Sequence, residues 1–101
     1  MLITRWQAPR IPEKPQILLM FETEGLEPVE EILAAGQTVP DHRHPFDEVR
    51  MVASGQLLLD IAGNQMLLRA GDKVVIPANT RHSKRAEGAE PCICICANQV
   101  Y

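Results

Sequence analysis

The chain has three histidines, and their spacing brings them into register with one carboxylate. His42 and His44 fall in the stretch GQTVPDHRHPFDEVRMVASG, from Gly36 to Gly55, which reads G-x5-H-x-H-x3-E-x6-G with Glu48 as its acid. His82 closes a second glycine-opened stretch, GDKVVIPANTRH, which starts at Gly71. Side chains two apart on a strand point to the same face, with Cα atoms about 6.5–7 Å apart, so His42 and His44 can converge on one ion. The Pro45-Phe46-Asp47 turn lets the chain double back, so that Glu48 presents its carboxylate from the neighbouring strand. His82 would arrive from a strand distant in sequence, brought alongside by closure of a barrel. Imidazole and carboxylate together form a borderline-hard donor set suited to Fe(II), Mn(II), Ni(II), Zn(II) or Cu(II). Without thiolates it is not a typical structural zinc set. Four protein ligands leave about two positions of an octahedral ion open to water or substrate. The expected chemistry is that of a divalent transition metal held by His42, His44, Glu48 and His82.

Arg50 lies two residues after Glu48 and so shares its inward face. A buried guanidinium must meet Asp, Glu or an anionic ligand. Arg50 is therefore either half of a fixed local ion pair or a clamp that orients a substrate carboxylate or enediolate. Arg81, Lys84 and Arg85 surround His82 and read as a solvated rim, with drawing anions toward the cavity mouth as the other use. Phe46 and Met51 read as core residues, with a pocket or dimer seam as the other use. Cys92, Cys94 and Cys96 alternate with Ile93 and Ile95, which puts three thiols on one face of the last strand. They read as small core fillers or as a thiol lining of the cavity, and a bridge between neighbours two apart would be strained.

The elements that must hold these residues are short strands separated by turn residues, the pattern of a sandwich or barrel. Strands are expected over 31–35, 39–44, 48–53, 57–62, 65–69, 73–76, 82–86 and 92–98. Ser54-Gly55-Gln56 reads as a hairpin turn, and Gly63-Asn64 as a strong two-residue hairpin signal. The apolar run QILLMFE, residues 16–22, reads as a buried strand, and a single helical turn is possible around Pro28 to Glu31. Residues 1–15 hold a short extended candidate from Leu2 to Trp6, then prolines at 9, 12 and 15. They read as an arm lying over the outside of a sheet, that of a partner included. The expected fold class is all-β.

At 101 residues the chain is a single domain, with an ordinary apolar fraction of 46%. A net charge of −3 and only four aromatic residues argue against nucleic-acid binding. No apolar run suits a signal peptide or a membrane span. Three cysteines, an odd number, agree with a reducing compartment, so the expected setting is cytoplasmic.

Gly36, His42, His44, Glu48 and Gly55 match the first motif of the cupin superfamily, G-x5-H-x-H-x3,4-E-x6-G, at every fixed position. The second motif, G-x5-P-x-G-x2-H-x3-N, is matched by Gly71, Pro77 and His82, with Asn79 for its second glycine and Ala86 for its final asparagine. Asn79 tolerates a left-handed turn, and Ala86 removes an amide but is not a ligand position. The chain thus resembles a small single-domain cupin over about residues 30–98. The resemblance implies a double-stranded β-helix, commonly a homodimer, with the four ligands inside the barrel mouth. The run Asp47-Glu48-Val49-Arg50 is also similar to the E-[IV]-R stretch of acireductone dioxygenases, although this chain is considerably shorter than that family.

Two function classes follow. One is a small metalloenzyme of oxygenase or isomerase type, with Arg50 orienting a small oxygen-rich or anionic substrate. The other is a binding or sensing module that holds a small ligand and a structural metal without turnover.

Overall fold

The computed structural model describes residues 2–99. In chain order its elements are β1 (Leu2–Thr4), α1 (Lys14–Thr23), β2 (Val29–Leu33), β3 (Thr38–His42), β4 (Asp47–Ser54), β5 (Gln56–Ile61), β6 (Asn64–Arg69), β7 (Lys73–Ile76), β8 (His82–Glu87) and β9 (Cys92–Gln99). The strands form two antiparallel sheets, one ordered β1-β7-β4-β9-β2 and the other β3-β8-β5-β6. This is the jelly-roll arrangement of a double-stranded β-helix that the cupin resemblance implies, and it fits the sandwich or barrel expected from the turn spacing.

Between the sheets lies the main core, in which Leu33, Val52 and Val74 of one sheet meet Leu57, Leu59, Leu68 and Ala86 of the other. Cys92 and Cys94 belong to this core, so the thiol face of β9 points into the barrel. On the opposite face of β4 and β9, Val49, Met51, Ile95 and Ala97 pack against Ile17 and Phe21 of α1. Both central strands are thus covered on two sides, and β4 is almost continuously buried. Met51 is a core residue, as read.

The run 16–22 is part of a helix rather than a strand. Pro15 sits in its first turn, where a missing N–H costs nothing. The Gln16 side chain accepts a hydrogen bond from the Glu13 backbone N–H at 2.9 Å, half of a capping box. Leu, Met and Phe are good or neutral helix formers, and Ile17 and Phe21, four apart, bury one stripe while Leu19 and Met20 stay exposed. Nor is there a helical turn at Pro28, since Val29 already opens β2, which ends at Leu33.

Ser54-Gly55-Gln56 is not a hairpin, because β4 and β5 belong to different sheets. The chain crosses between sheets there with Gly55 at φ +77°, and a Cβ would strike the Pro91 carbonyl. At Gly55 only glycine fits. The second hairpin is present, one residue earlier than its signal suggests. Ile61 pairs with Asn64 around Ala62 and Gly63, both at positive φ (52° and 85°).

The arm lies on the chain's own sheet, with β1 pairing β7. Asp72 fastens it by accepting hydrogen bonds from Trp6 N at 3.0 Å, Arg5 Nη1 at 2.8 Å and Arg69 N at 2.9 Å. Burial raises the Asp72 pKa, but these donors outweigh it and hold the carboxyl below its ordinary 3.8. A depressed folded-state pKa contributes stability that is complete above the unfolded value and is lost as pH falls through the folded one. Trp6 is the only tryptophan, so its fluorescence reports the latch. We expect a red shift as pH falls below about 3.8, before the global transition, and the same shift at neutral pH in Asp72→Asn. An emission maximum unchanged by the substitution would contradict this role. No helix among the described residues is long and apolar enough to cross a membrane.

Candidate metal centre

His42 ends β3 and is paired across the sheet with His82, the first residue of β8. His44 follows on the turn into β4, and Glu48 is the second residue of that strand, so its side chain enters the barrel from the other sheet. The three rings cluster, with centroids 4.3 Å apart for His42–His82, 4.6 Å for His42–His44 and 5.4 Å for His44–His82. One ligating nitrogen from each lies within 4.8 Å of the other two. Glu48 falls outside that trio, but its Oε1 lies 3.3 Å from His44 Nε2.

Backbone carbonyls set the tautomers. The Nδ1 of His42 donates to the Pro40 carbonyl at 2.8 Å, and that of His82 to the Thr80 carbonyl at 2.9 Å. With Nδ1 protonated, Nε2 of each ring keeps a free lone pair, which is how ligating imidazoles are oriented. His82 Nε2 is the only buried side-chain polar atom among the described residues that has no hydrogen-bond partner. An orphan of this kind costs roughly 1–3 kcal/mol unless something else bonds to it. Burial lowers the His82 pKa, and the opposing pull of the Thr80 carbonyl and Glu48 does not cancel it, so the ring is neutral. The donor set therefore fits a divalent transition ion in tautomer, charge and convergence.

The surrounding loops are tied down. Phe46 stacks on His44 at 4.8 Å with an interplanar angle of 11°, so it is a site residue rather than core filler. Asn79, at φ +61°, donates its backbone N–H to the His44 carbonyl at 2.6 Å. Asp47 Oδ1 accepts from the Ala78 N–H at 2.8 Å. Ala86 packs in the core while its carbonyl accepts from the Gly36 N–H at 3.0 Å.

Arg50 is buried and paired. Its Nε donates to Glu48 Oε2 at 3.0 Å and its Nη1 to Glu31 Oε1 at 2.8 Å. Burial raises the Glu48 pKa, but Arg50 and Lys84 outweigh it and hold the carboxyl below its ordinary value, hence ionised. Lys84 is not part of a solvated rim. It is buried, and its Nζ lies 2.9 Å from Glu31 Oε1. Arg81 and Arg85 do stay exposed, facing Asp41 at 3.6 Å and Glu87 at 2.7 Å. The inward turn of Lys84 has the same signal that marked Arg50, since it stands two residues after His82 as Arg50 stands two after Glu48. Glu31 gave a weaker one, its place two before the core residue Leu33 on β2.

All three thiols are free. Cys92 and Cys94 sit with sulfurs 3.7 Å apart in the core. Their mutual contact splits the pair, holding the Cys94 pKa down against burial and pushing that of Cys92 up. Cys96 alone reaches the cavity wall, and burial pushes its thiol up to about 12. The cavity has a volume of about 450 Å³ and joins His42, His44 and Glu48 to Glu31, Arg50 and Lys84.

Residues 29–98 match a family model described as a cupin domain. The chain is 35% identical over 60 residues to a Streptomyces cyaneus protein called polyketide synthase CurC, which covers 58% of this chain and 39% of that one. Among solved structures, an oxalate oxidase in complex with the substrate analogue glycolate is 29% identical with a TM-score of 0.66, over 76% of this chain and 43% of that one. An uncharacterised double-stranded β-helix protein from Klebsiella pneumoniae is 26% identical with a TM-score of 0.65, over 71% of this chain and 64% of that one. The chain therefore spans less than half the length of the first two.

Proposed function

This chain belongs to the cupin family, and from that premise we propose that it is a small metal-dependent enzyme acting on an oxygen-rich or anionic small molecule. His42, His44, His82 and Glu48 are its metal ligands, and Arg50 orients the substrate. The observation that carries the reading is the buried, unpartnered Nε2 of His82, aligned by its Nδ1 bond to Thr80 and clustered with the two other imidazoles. Iron, manganese, nickel, zinc and copper all suit this donor set, and a bound ion would supply Lewis-acid polarisation of a substrate oxygen, or redox chemistry of dioxygenase type. The chain's own residues do the positioning. Carbonyls of Pro40 and Thr80 fix the ring tautomers, Phe46 holds the His44 plane, and Glu48 and Glu31 hold the guanidinium at the cavity wall. The glycolate named for the oxalate oxidase relative supports a small oxygen-rich substrate.

The test is reconstitution of chelator-treated protein with each metal, followed by oxygen-uptake and isomerisation assays on small hydroxy acids, dicarboxylates and enediols. Turnover with one metal, lost in Glu48→Gln, is the expected result. Metal and ligand binding without turnover would make the chain a binding or sensing cupin instead.

A cytoplasmic setting and a homodimer complete the reading, supported by the three free thiols and by exposed Val29 and Ile32 on edge strand β2. Light scattering after size exclusion should give twice the chain mass, and a monomer at micromolar concentration would contradict the dimer.

A further inference from the structure

Arg50 and Lys84 come from opposite sheets, β4 and β8, and converge on one carboxylate, that of Glu31. Glu31 Oε1 lies 2.8 Å from Arg50 Nη1 and 2.9 Å from Lys84 Nζ, and its Oε2 accepts from the same Nζ at 3.2 Å. The two cationic side chains are 2% and 4% exposed, whereas that of Glu31 is 35% exposed. The cations are fixed in the barrel, and the anion stands on edge strand β2 with solvent on one side. Arg50 also donates through Nε to Glu48 Oε2. All four charges line the cavity that also holds His42 and His44.

We propose that the Arg50–Lys84 pair is a binding site for a small carboxylate, that Glu31 occupies it in the ligand-free chain as a built-in stand-in, and that the ligand enters by displacing Glu31. The inference rests on reading this cavity as a ligand site, and it names the substrate class as carboxylates; it does not depend on the metal. Two buried cations require an anion, because an unpaired buried charge is strongly unfavourable. An incoming carboxylate supplies the same charge and the same acceptor oxygens, so the exchange leaves both cations paired. The displaced side chain, already a third exposed, rotates into water, where full hydration replaces its ion pairs. Glu31 thus sets a threshold. Ligands that present a carboxylate compete with it, and neutral molecules of the same size do not.

Removing Glu31 takes away both a competing anion and its repulsion toward the ligand, so anion binding should tighten, whereas removing Lys84 should weaken it. Calorimetric titration with oxalate, in carboxylate-free buffer, would compare the parent, Glu31→Gln, and Glu31→Gln combined with Lys84→Gln, each chelator-treated and each metal-loaded. Glu31→Gln should bind oxalate at least about ten-fold tighter than the parent in the chelated state, and Lys84→Gln should cancel the gain. Affinity equal to or weaker than the parent's would overturn the proposal, making Glu31 part of the scaffold of the site. Oxalate binding confined to metal-loaded protein and insensitive to Glu31→Gln would also overturn it, placing the anion on the metal. Should Glu31→Gln fail to fold, the parent against Lys84→Gln decides, with weaker oxalate binding expected in the variant and equal binding contradicting the site. Failure of the metal centre would show separately, as absence of bound metal with the chelated-state result intact.

Discussion

Replacing His82 by alanine is expected to abolish tight metal binding and, with it, the response of the melting temperature to metal. Ligand binding to the folded state alone stabilises it, by about 2.7 kcal/mol at a hundred-fold excess over the dissociation constant. For a domain of about 100 residues that corresponds to a rise in melting temperature on the order of 10–20 °C. The parent should lose this increment on chelation and regain it on reconstitution. The alanine variant should melt at one temperature in both conditions, because the buried ring whose Nε2 has no protein partner is gone. Its metal-free stability is a separate matter, since truncation leaves a cavity. The diagnostic is the response to metal, and a variant stabilised by metal as much as the parent would exclude His82 as a ligand.

Arg50→Met carries the second large effect. The substitution keeps an unbranched apolar stem in the barrel but removes the cation that pairs Glu48 and Glu31. Breaking one partner out of a buried pair costs about 3–5 kcal/mol, and the share that falls on Glu31 is reduced because a third of it faces solvent. The loss should depend on pH. Burial raises both carboxyl pKa values, but the cations outweigh it and hold Glu31 and Glu48 below their ordinary 4.5. Depressed folded-state values give stability that is complete above the unfolded pKa and lost as pH falls through the folded one. In the variant, burial is opposed by Lys84 alone at Glu31 and by Lys84 and His82 at Glu48, so protonation relieves it. Denaturant unfolding of chelated protein should show the widest gap between parent and variant near pH 7, narrowing below about pH 4. A gap constant from pH 7 to pH 3 would mean that the guanidinium acts through packing alone.

The sequence was most legible where turn chemistry and period-two alternation coincided. From Thr38 to Gln99 every expected strand is present within a residue or two, since glycine, proline and Asn-type breaks bound each one. Helix α1 escaped because 17–21 is an unbroken apolar run in which no polar residue marks off the buried Ile17–Phe21 stripe, although Pro15 and the Glu13–Gln16 spacing were available as signals of a helix start. Gly55 was misread for another reason. A left-handed glycine between two strands serves a hairpin and a sheet-to-sheet crossover alike, and only the pairing of β4 with β7 and β9, and of β5 with β6 and β8, separates them. The histidine cluster was legible from the H-x-H spacing, although β3 ends at His42 and His44 reaches the cluster from the turn into β4 rather than from the same strand. Lys84 carried the same two-residue signal as Arg50 and Glu31 a weaker one, but a charged residue is buried only for the sake of its partners, and those come from the other sheet and from an edge strand.

The central claim, a transition-metal centre built on three imidazoles and Glu48, is tested most directly by elemental analysis. Manganese, iron, nickel, copper and zinc would be quantified per chain in the purified protein and in a folded His44→Ala variant. Close to one equivalent of a single transition metal is expected in the parent, as purified or on reconstitution, with its loss in the variant. Little metal in both after reconstitution, or equal metal in both, would contradict it.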